Sequence, residues 1–257
     1  MAGKGLAMLS ELYITEIRKR DVDKRDSSSA DFSQERESAL DYPFSIPAIK
    51  NLKRLKLESN VTFFVGENGT GKSTLLEAIA VNYGFNAEGG SKNFNFSTMA
   101  THSNLHEHIV VAKGVRRAKD GYFLRAESFY NVATEVDRLR VGGYGGKSLH
   151  AQSHGESFLS LVMNRFSGEG LYLLDEPESA LSPARQLALL SRMRDLEKAK
   201  AQFIIATHSP ILLAYPNAQI YVLGDGEITL TPYKETEHYV ITRQFLNNPE
   251  GVMGHLF

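Results

Sequence analysis

The stretch GENGTGKST, at residues 66–74, constrains the fold of this chain more than any other feature. It follows a short apolar run at 61–65, which predicts a buried strand, and it precedes STLLEAIAVNYG, whose apolar residues recur at helical spacing up to Gly84. Glycines at 66, 69 and 71 allow the backbone N–H groups to turn inward around a phosphate. Because the pattern lies between a strand and a helix, a glycine turn with an incidental lysine is the weaker interpretation. The stretch predicts a nucleotide site.

The spacing of this loop also predicts separate roles for its residues. The loop N–H groups and the start of the helix would hold the β-phosphate, and Lys72 would reach the β- and γ-phosphates. The Ser73 hydroxyl would ligate Mg²⁺. The predicted nucleotide-binding residues of the loop are Gly66, Glu67, Asn68, Gly69, Thr70, Gly71, Lys72, Ser73 and Thr74.

A second polar cluster ends the apolar run in LYLLDEPES, residues 171–179. Ligands bind at the carboxyl ends of parallel strands, where this run presents Asp175 and Glu176. Neighbouring side chains of an extended chain point in opposite directions, so the two carboxylates divide their roles. Asp175 is predicted to bind Mg²⁺, directly or through water, and Glu176 to polarise the water that attacks the γ-phosphate. The alternative, a polar strand end before a proline turn, is disfavoured by the phosphate loop upstream.

A third segment, ATHSP at residues 206–210, follows another apolar strand. If this strand lies beside the strand of Asp175, His208 comes close to the γ-phosphate and the attacking water, and can hydrogen-bond to both. A structural or surface histidine is the alternative. Lys72, Glu176 and His208 are therefore the predicted catalytic residues.

Apolar strands alternate with helical patterns along the rest of the chain, which predicts an α/β fold with a mainly parallel sheet. LYITEI at 12–17 is predicted to be a strand, and NAQIYVLGDGEITLTPY at 217–233 a hairpin. Pro43 and Pro47 are expected to exclude a helix before residue 51. The Asn-, Gly- and Ser-rich residues 85–108 are expected to form a long surface loop or lid.

Composition excludes several classes of function. The formal net charge of -1 gives no global attraction to nucleic acid or to an anionic membrane. The absence of cysteine excludes disulfides, thiolate chemistry and cysteine-ligated zinc. Apolar residues nowhere run together for the length of a membrane span, so we expect a soluble, cytoplasmic protein.

Taken in order, these motifs resemble those of the ATP-binding cassette ATPase superfamily. GENGTGKST is similar to its Walker A motif, LYLLDEPES to its Walker B motif with the catalytic glutamate, SALS to its D-loop, and ATHSP to its switch-histidine loop. Within the superfamily the chain most resembles stand-alone soluble AAA-type ATPases related to recombination-repair and SMC heads. The tail HYVITRQFLNNPEGVMGHLF also fits that group.

The resemblance implies a P-loop NTPase fold with a mainly parallel sheet flanked by helices. It adds an antiparallel β subdomain near the N-terminus and a helical signature subdomain. Residues 1–257 would form a single ATP-binding cassette-type domain, with an inserted helical signature region at about 85–168. ATP and Mg²⁺ are the implied cofactors.

SHGES, at residues 153–157, stands where the superfamily has its signature motif. Two heads of that superfamily pack head to tail, so Ser153 and Gly155 are implied to cap the γ-phosphate held by a second copy. A hydroxyl, glycine N–H groups and a helix start can together form an anion site. His154 either adds a charge-assisted bond or points to solvent. A serine hydrolase site is a further possibility, but the G-x-S-x-G pentapeptide is missing.

Three positions depart from the superfamily pattern. Ser182 replaces the aspartate that ends the D-loop. The Q-loop glutamine is missing, and Glu127 or Ser128 would take its place. The aromatic residue that stacks on adenine would be Tyr42 or Phe44, although either could instead serve in packing.

The predicted function is hydrolysis of ATP to ADP and phosphate by a soluble ATPase in a nucleotide-sandwiched homodimer that drives a partner process. One alternative is an ATP-gated DNA- or protein-binding module in repair or defence with slow turnover, in which Arg116, Arg117 and Lys119 touch phosphates. The other is the ATP-binding subunit of a transporter, which would need a separate membrane protein. The missing Q-loop glutamine disfavours it.

Overall fold

A computed structural model of the protein describes residues 11–20, 42–92, 103–125, 154–224 and 226–257. Several sequence predictions fall outside these residues. They are residues 21–38 of the charged, Ser-rich stretch at 18–38, which is predicted to be a solvated loop, a helix predicted at 131–140, the Q-loop candidates Glu127 and Ser128, Ser153, and the hairpin tip at residue 225.

Strands and helices alternate along most of the described chain. The strands are β1 (Ile14–Lys19), β2 (Arg54–Lys56), β3 (Val61–Val65), β4 (Gly90–Ser91), β5 (Ile109–Lys113), β6 (Asp120–Arg125), β7 (Gly170–Asp175), β8 (Gln202–Ala206), β9 (Gln219–Gly224) and β10 (Glu227–Leu230). The helices are α1 (Pro47–Lys50), α2 (Lys72–Tyr83), α3 (Leu105–His108), α4 (His154–Arg165), α5 (Pro183–Lys198), α6 (Pro210–Leu213), α7 (Glu237–Asn247) and α8 (Pro249–Leu256).

The described strands form two sheets. The larger has the order β10-β9-β3-β8-β7-β6-β4, in which the five strands from β9 to β6 are parallel and the two edge strands are antiparallel. The smaller has the order β2-β1-β5 and is antiparallel. The predicted mainly parallel α/β sheet and the antiparallel β unit near the N-terminus are therefore confirmed.

The larger sheet is buried on both faces. Alternate residues of its central strands face two separate apolar clusters, as Phe63 and Phe64 of β3 do. One cluster includes residues of α4, α5 and α6, and the other includes residues of α2 and of the antiparallel sheet. This two-sided burial explains why the central strands are almost continuously apolar in sequence. Because β3, β8 and β7 are parallel neighbours, their carboxyl ends lie at the same edge of the sheet.

Three local predictions differ from the structure. Residues 85–108 were expected to form a surface loop, but Phe85 and Leu105 are buried in the core, and β4 pairs with β6. Pro47 begins α1 rather than excluding a helix, because its missing N–H is not needed at the first helical position. The first strand begins two residues later than predicted, at Ile14.

The region at 85–168 contributes to both sheets in its described part. It supplies β4 and β6 to the larger sheet and β5 to the smaller one, besides helices α3 and α4. The single domain with an inserted helical signature region stays a prediction. No helix among the described residues has the length and apolarity needed to cross a membrane.

Candidate active site

The loop between β3 and α2 forms a cradle in which Gly66 and Gly71 have no room for a side chain. Gly66 has a φ of +152°, and a Cβ there would lie 2.2 Å from the carbonyl oxygen of Leu223. Gly71 has a φ of +94°, and a Cβ there would lie 2.9 Å from Ile49 of α1. Positive φ angles turn the N–H groups of such a loop toward one side, where they can bind an anion. The loop ends at the start of α2, whose helix dipole favours negative charge.

Lys72, the first residue of α2, is 4% exposed and folds back over the loop. Its Nζ donates a hydrogen bond of 2.8 Å to the carbonyl oxygen of Glu67. Burial lowers the pKa of Lys72, while the carboxylates of Glu176 and Asp175 oppose that effect. A phosphate in the cradle would stabilise the charged ammonium in the same way as these carboxylates.

Ser73 and Asp175 meet although they lie far apart in the sequence. The Ser73 hydroxyl donates a hydrogen bond of 2.8 Å to Oδ1 of Asp175. Strand β8 lies between β3 and β7, so the loop after β3 reaches across the end of β8 to the end of β7. A hydroxyl and a carboxylate are hard oxygen ligands of the kind that Mg²⁺ binds in company with phosphate oxygens. No cluster of three or more His, Cys, Asp or Glu suited to a metal occurs in the described part of the chain.

Glu176 and His208 face each other at the ends of β7 and β8. These strands are parallel neighbours, with Asp175 opposite Ala206, which confirms the predicted adjacency. Oε1 of Glu176 lies 3.6 Å from Nε2 of His208. Glu176 has a left-handed φ of 47°, a conformation that costs a non-glycine residue about 1–3 kcal/mol and that it shares with Glu169, Lys200 and Asn217.

A groove of about 490 Å³ opens beside these groups. It is lined by Glu67 and Asn68 of the loop, by His208, and by Glu237, His238 and Ile241 of α7. Helix α7 belongs to the tail, for which the sequence pattern gave no role in the site.

Two family models match the chain, one on each half of this site. A model described as "AAA domain" matches residues 44–140, and one described as "AAA domain, putative AbiEii toxin, Type IV TA system" matches residues 156–214. The chain is also 28% identical over 183 residues to the thiamine import ATP-binding protein ThiQ of Haemophilus influenzae, across 64% of this chain and 83% of that protein. Together these matches support an ATPase of the ATP-binding cassette superfamily.

Other relatives are similar over comparable lengths. An uncharacterized ABC transporter ATP-binding protein of Haemophilus influenzae is 24% identical over 192 residues, which are 67% of this chain and 70% of that protein. Among solved structures, cbiO1 of Clostridium perfringens, part of the ABC transporter complex cbiONQ, is 17% identical with a TM-score of 0.46, over 95% of this chain and 98% of that one. The sequence relatives and the family models support a P-loop enzyme that hydrolyses ATP.

The segment at 153–157, which resembles the signature motif, is only partly described. Gly155, at the start of α4, is packed so closely that a Cβ would lie 2.5 Å from the carbonyl oxygen of Ala180. Ser157 is 2% exposed, which leaves its hydroxyl out of reach for a hydrolase nucleophile. Ser182, in the D-loop position, precedes α5 and makes no capping hydrogen bond with its side chain. Ser153 lies outside the described residues, so its predicted contact stays a prediction.

The two candidate adenine-stacking residues occupy different environments. Tyr42 is 64% exposed, and its hydroxyl makes a hydrogen bond of 2.8 Å with Thr74 at the start of α2. Phe44 packs against the core, with its ring edge-on to that of His108 at 4.8 Å. Only Tyr42 therefore leaves a ring face exposed beside the phosphate loop.

Two of the three residues of the predicted basic face, Arg116 and Lys119, pair with neighbouring acids. Arg116 pairs with Glu11 at 3.4 Å, and Lys119 pairs with Glu169. Both pairs lie at the surface, where they compete with any phosphate for these cations.

Sequence reasoning missed Glu178, which holds the backbone of the switch histidine. Its carboxylate accepts hydrogen bonds from the Thr207 hydroxyl at 2.7 Å and from the His208 N–H at 2.5 Å. Burial raises the pKa of Glu178, and the nearby Glu176 adds to that effect. Its position two residues after Glu176 was the signal available in the sequence, because a third carboxylate at a strand end suggests more than solvation.

Ser209 is held by a second residue that sequence reasoning missed. Its hydroxyl donates a hydrogen bond of 2.5 Å to the Gln186 side chain on α5, and it accepts the N–H groups of Ile211 and Leu212. The segment that carries His208 is thus fixed on both sides.

Proposed function

We propose that this protein hydrolyses ATP to ADP and phosphate with Mg²⁺, in a nucleotide-sandwiched homodimer whose cycle drives a partner process. The observation that carries the proposal is the contact of 2.8 Å between Ser73 and Asp175, residues of two separate motifs. Lys72, Glu176 and His208 converge on the same edge of the sheet. This set of groups matches the needs of phosphoryl transfer to water.

The cradle would bind the phosphates through the N–H groups of residues 66–74 and through Lys72. The ammonium of Lys72 would leave the Glu67 carbonyl, its present partner, to reach the β- and γ-phosphates. Ser73 and Asp175 would hold the metal, because their oxygens already lie within hydrogen-bond distance of each other. When bound, Mg²⁺ would neutralise charge on the β- and γ-phosphate oxygens.

Glu176 would act on the attacking water. Its carboxylate lies at the end of β7, beside Asp175 and 3.6 Å from His208. A carboxylate at hydrogen-bond distance from water can polarise it as it attacks phosphorus. His208 would donate from Nε2 to the γ-phosphate and orient the same water. The exposed ring of Tyr42 supports a role in stacking on adenine, since its hydroxyl is fixed by Thr74.

The dimer is proposed from the signature segment. Ser153 and Gly155 would cap the γ-phosphate of the second copy, with the N-terminal end of α4 adding its partial positive charge. The whole chain would act as one ATP-binding cassette domain, located in the cytoplasm.

The partner process is open between two classes that the relatives suggest. The thiamine import ATP-binding protein belongs to a transporter by name, and one family model names a type IV toxin–antitoxin system. An ATP-gated module that binds DNA or a protein with slow turnover is the alternative to an ATPase with rapid turnover. Pairing of Arg116 and Lys119 with acids weakens the basic face proposed for such DNA binding.

The substitution Glu176→Gln tests the proposal. It keeps the size of the side chain but removes the base, so we expect kcat to fall by about 100-fold or more while the Kd for ATP stays unchanged. In size-exclusion chromatography with Mg-ATP, the variant should elute at twice the monomer mass, because nucleotide would remain intact between the two copies. Glu250→Gln, at an exposed position of α8, is the matched control and should behave as wild type.

Two outcomes would contradict the proposal at different points. Equally slow hydrolysis by wild type and Glu176→Gln would remove the catalytic role of Glu176 and favour the binding module. A monomer at saturating Mg-ATP would remove the homodimer and the capping role of Ser153 and Gly155.

A further inference from the structure

His238, on the tail helix α7, contacts the switch histidine directly. Its Nε2 lies 3.2 Å from Nδ1 of His208, and the two ring centroids are 5.4 Å apart. The two histidines are thirty residues apart in the chain, and only the fold brings them together. On the other side of the His208 ring, Nε2 is buried, has no hydrogen-bond partner among the described residues, and lies 3.6 Å from Glu176.

The groups around His208 select one arrangement of protons. A carboxylate and a phosphate only accept hydrogen bonds, so a proton on Nε2 of His208 is favoured on the side of Glu176. A neutral imidazole with its proton on Nε2 has a lone pair on Nδ1, which must then accept a hydrogen bond. The atom in contact with that lone pair is Nε2 of His238, which is a donor when it carries the proton of that ring.

Burial favours the neutral forms of both rings. Burial lowers the pKa of His208, and Lys72 and His238 lower it further, while Glu176 opposes them. Burial also lowers the pKa of His238, with Lys72 acting in the same direction and with Glu237 and Glu67 opposing. Two neutral rings can share one N–H···N hydrogen bond, whereas two imidazolium rings would repel each other.

The start of α7 is anchored to the segment that carries His208. Thr236 is buried and caps the helix by accepting the N–H of Tyr239. The Tyr233 hydroxyl donates a hydrogen bond of 3.0 Å to the carbonyl oxygen of Pro210, two residues after His208. The ring of His238 is therefore positioned by fixed backbone rather than by a free tail.

We propose that His238 is a positioning residue for ATP hydrolysis, whose Nε2–H donates to Nδ1 of His208 and keeps the Nε2 proton of His208 directed at the γ-phosphate and the attacking water. This inference rests on the proposed function, in which His208 serves that phosphate. No proton leaves either ring through this contact. His238 sets the tautomer and the orientation of its neighbour, as hydrogen-bonded partners do for other functional histidines.

A double-mutant cycle on the full chain tests this role. His238→Phe keeps a ring of similar size but removes the donor, and we expect kcat to fall by about tenfold or more while KM and the Kd for ATP change by less than about twofold. His208→Ala should lower kcat at least as far. If His238 acts only through His208, the double variant should be no slower than His208→Ala alone.

Three further variants and measurements make the test specific. His238→Gln retains an N–H donor and should recover part of the lost kcat. His255→Phe, on the exposed surface of α8, is the matched control and should leave kcat unchanged. Thermal unfolding of every variant identifies a loss of activity that comes from misfolding, and His238→Gln keeps the test available if His238→Phe does not fold.

A spectroscopic measurement reads the tautomer without turnover. In nucleotide-free protein labelled with ¹⁵N-histidine, Nε2 of His208 should appear protonated and Nδ1 unprotonated, and His238→Phe should shift both signals toward tautomer exchange. A proton on Nδ1 of His208 in wild type, or additive kcat losses in the cycle, would overturn the inference. A wild type that does not hydrolyse ATP would instead contradict the proposed function, whereas an active wild type with an equally active His238→Phe would contradict only the role of His238.

Discussion

At the residue scale, the site depends on positions where only one kind of side chain fits. Gly66 accepts the approach of the Leu223 carbonyl from β9, and Gly71 accepts Ile49 from α1. From the sequence pattern alone, both glycines are explained by the backbone freedom that a phosphate-binding loop needs. The structure adds a steric reason, because neighbouring segments occupy the space in which a Cβ would lie.

Gly66→Ala should therefore impair both folding and nucleotide binding. Its Cβ would lie 2.2 Å from the Leu223 carbonyl oxygen at a φ that alanine rarely adopts. We expect the free energy of unfolding to fall by about 3 kcal/mol or more, with a large loss of ATP affinity, measured by urea unfolding and by titration calorimetry.

Gly224→Ala is the control for that change. This glycine ends β9 next to Leu223, but a Cβ there meets no atom within 4 Å. The variant should lose less than about 1 kcal/mol. Equal losses in the two variants would show that proximity to Leu223 is not the cause.

At the element scale, one side chain joins the antiparallel sheet to the parallel one. Gln202, at the start of β8, is 1% exposed. Its Oε1 accepts the N–H groups of Tyr13 and Ile14 at 2.8 and 2.9 Å, and its Nε2 donates to the Ile14 carbonyl at 2.8 Å. An amide is required because it both donates and accepts within one planar group. Strand β1 is therefore held to β8 without belonging to its sheet.

Gln202→Leu should destabilise the fold strongly. It would leave two backbone N–H groups and one carbonyl without partners in a buried place, and we expect a loss of about 2–4 kcal/mol in urea unfolding. Gln219→Leu is a matched control at the start of β9, where the side chain also bonds to neighbouring backbone, at Glu58 and Lys56. Because those bonds are exposed, water can replace them, and the loss should stay below about 1 kcal/mol. Similar losses in the free energy of unfolding for the two variants would mean that burial of the hydrogen bonds does not determine their contribution to stability.

At the scale of the whole molecule, the tail returns to the site formed by residues up to His208. Helix α7 lies against the segment after β8, and its His238 meets His208. The large groove beside the phosphate loop is bounded by loop and tail together. Stability and catalysis are therefore linked through two histidines whose pKa values the fold lowers.

This coupling predicts the pH dependence of stability. The pKa values of His208 and His238 are lowered from 6.5 in the fold, so the unfolded chain binds more protons than the folded chain below about pH 6.5. Stability from these two groups is complete above that pH and should decrease as pH falls toward their folded pKa values. The range of pH over which stability is lost also depends on the charged neighbours of the two rings. Lys72 lowers their pKa values, whereas Glu176, Glu237 and Glu67 raise them.

Urea unfolding at pH 7.5, 6.5 and 5.5 measures this effect, because these values extend roughly one unit to either side of the ordinary histidine pKa. The double variant His208→Ala and His238→Phe should show a flatter dependence than wild type between pH 6.5 and 5.5. His255→Phe should keep the wild-type slope. An unchanged slope in the double variant would mean that other groups cause the acid sensitivity.

The sequence by itself determined the chemistry-bearing residues and the order of most elements. Three parts of the site could be predicted from the sequence: the phosphate loop, the carboxylates at the end of β7 and the histidine after β8. Each is recognised from a few consecutive residues and from the apolar run that precedes them. Because the carboxyl ends of parallel strands meet at one edge of a sheet, the sequence also predicted that Asp175 and His208 lie close together.

Only the tertiary structure decided the contacts that join distant segments. The periodicity of apolar residues along a segment does not show that Glu178 holds the His208 backbone, that Gln202 binds β1, or that His238 contacts His208. The same reason explains the burial of Phe85, in a segment whose polar composition predicted a loop. Composition and spacing describe what a segment can form alone, whereas these residues take their roles from surfaces that other segments present to them.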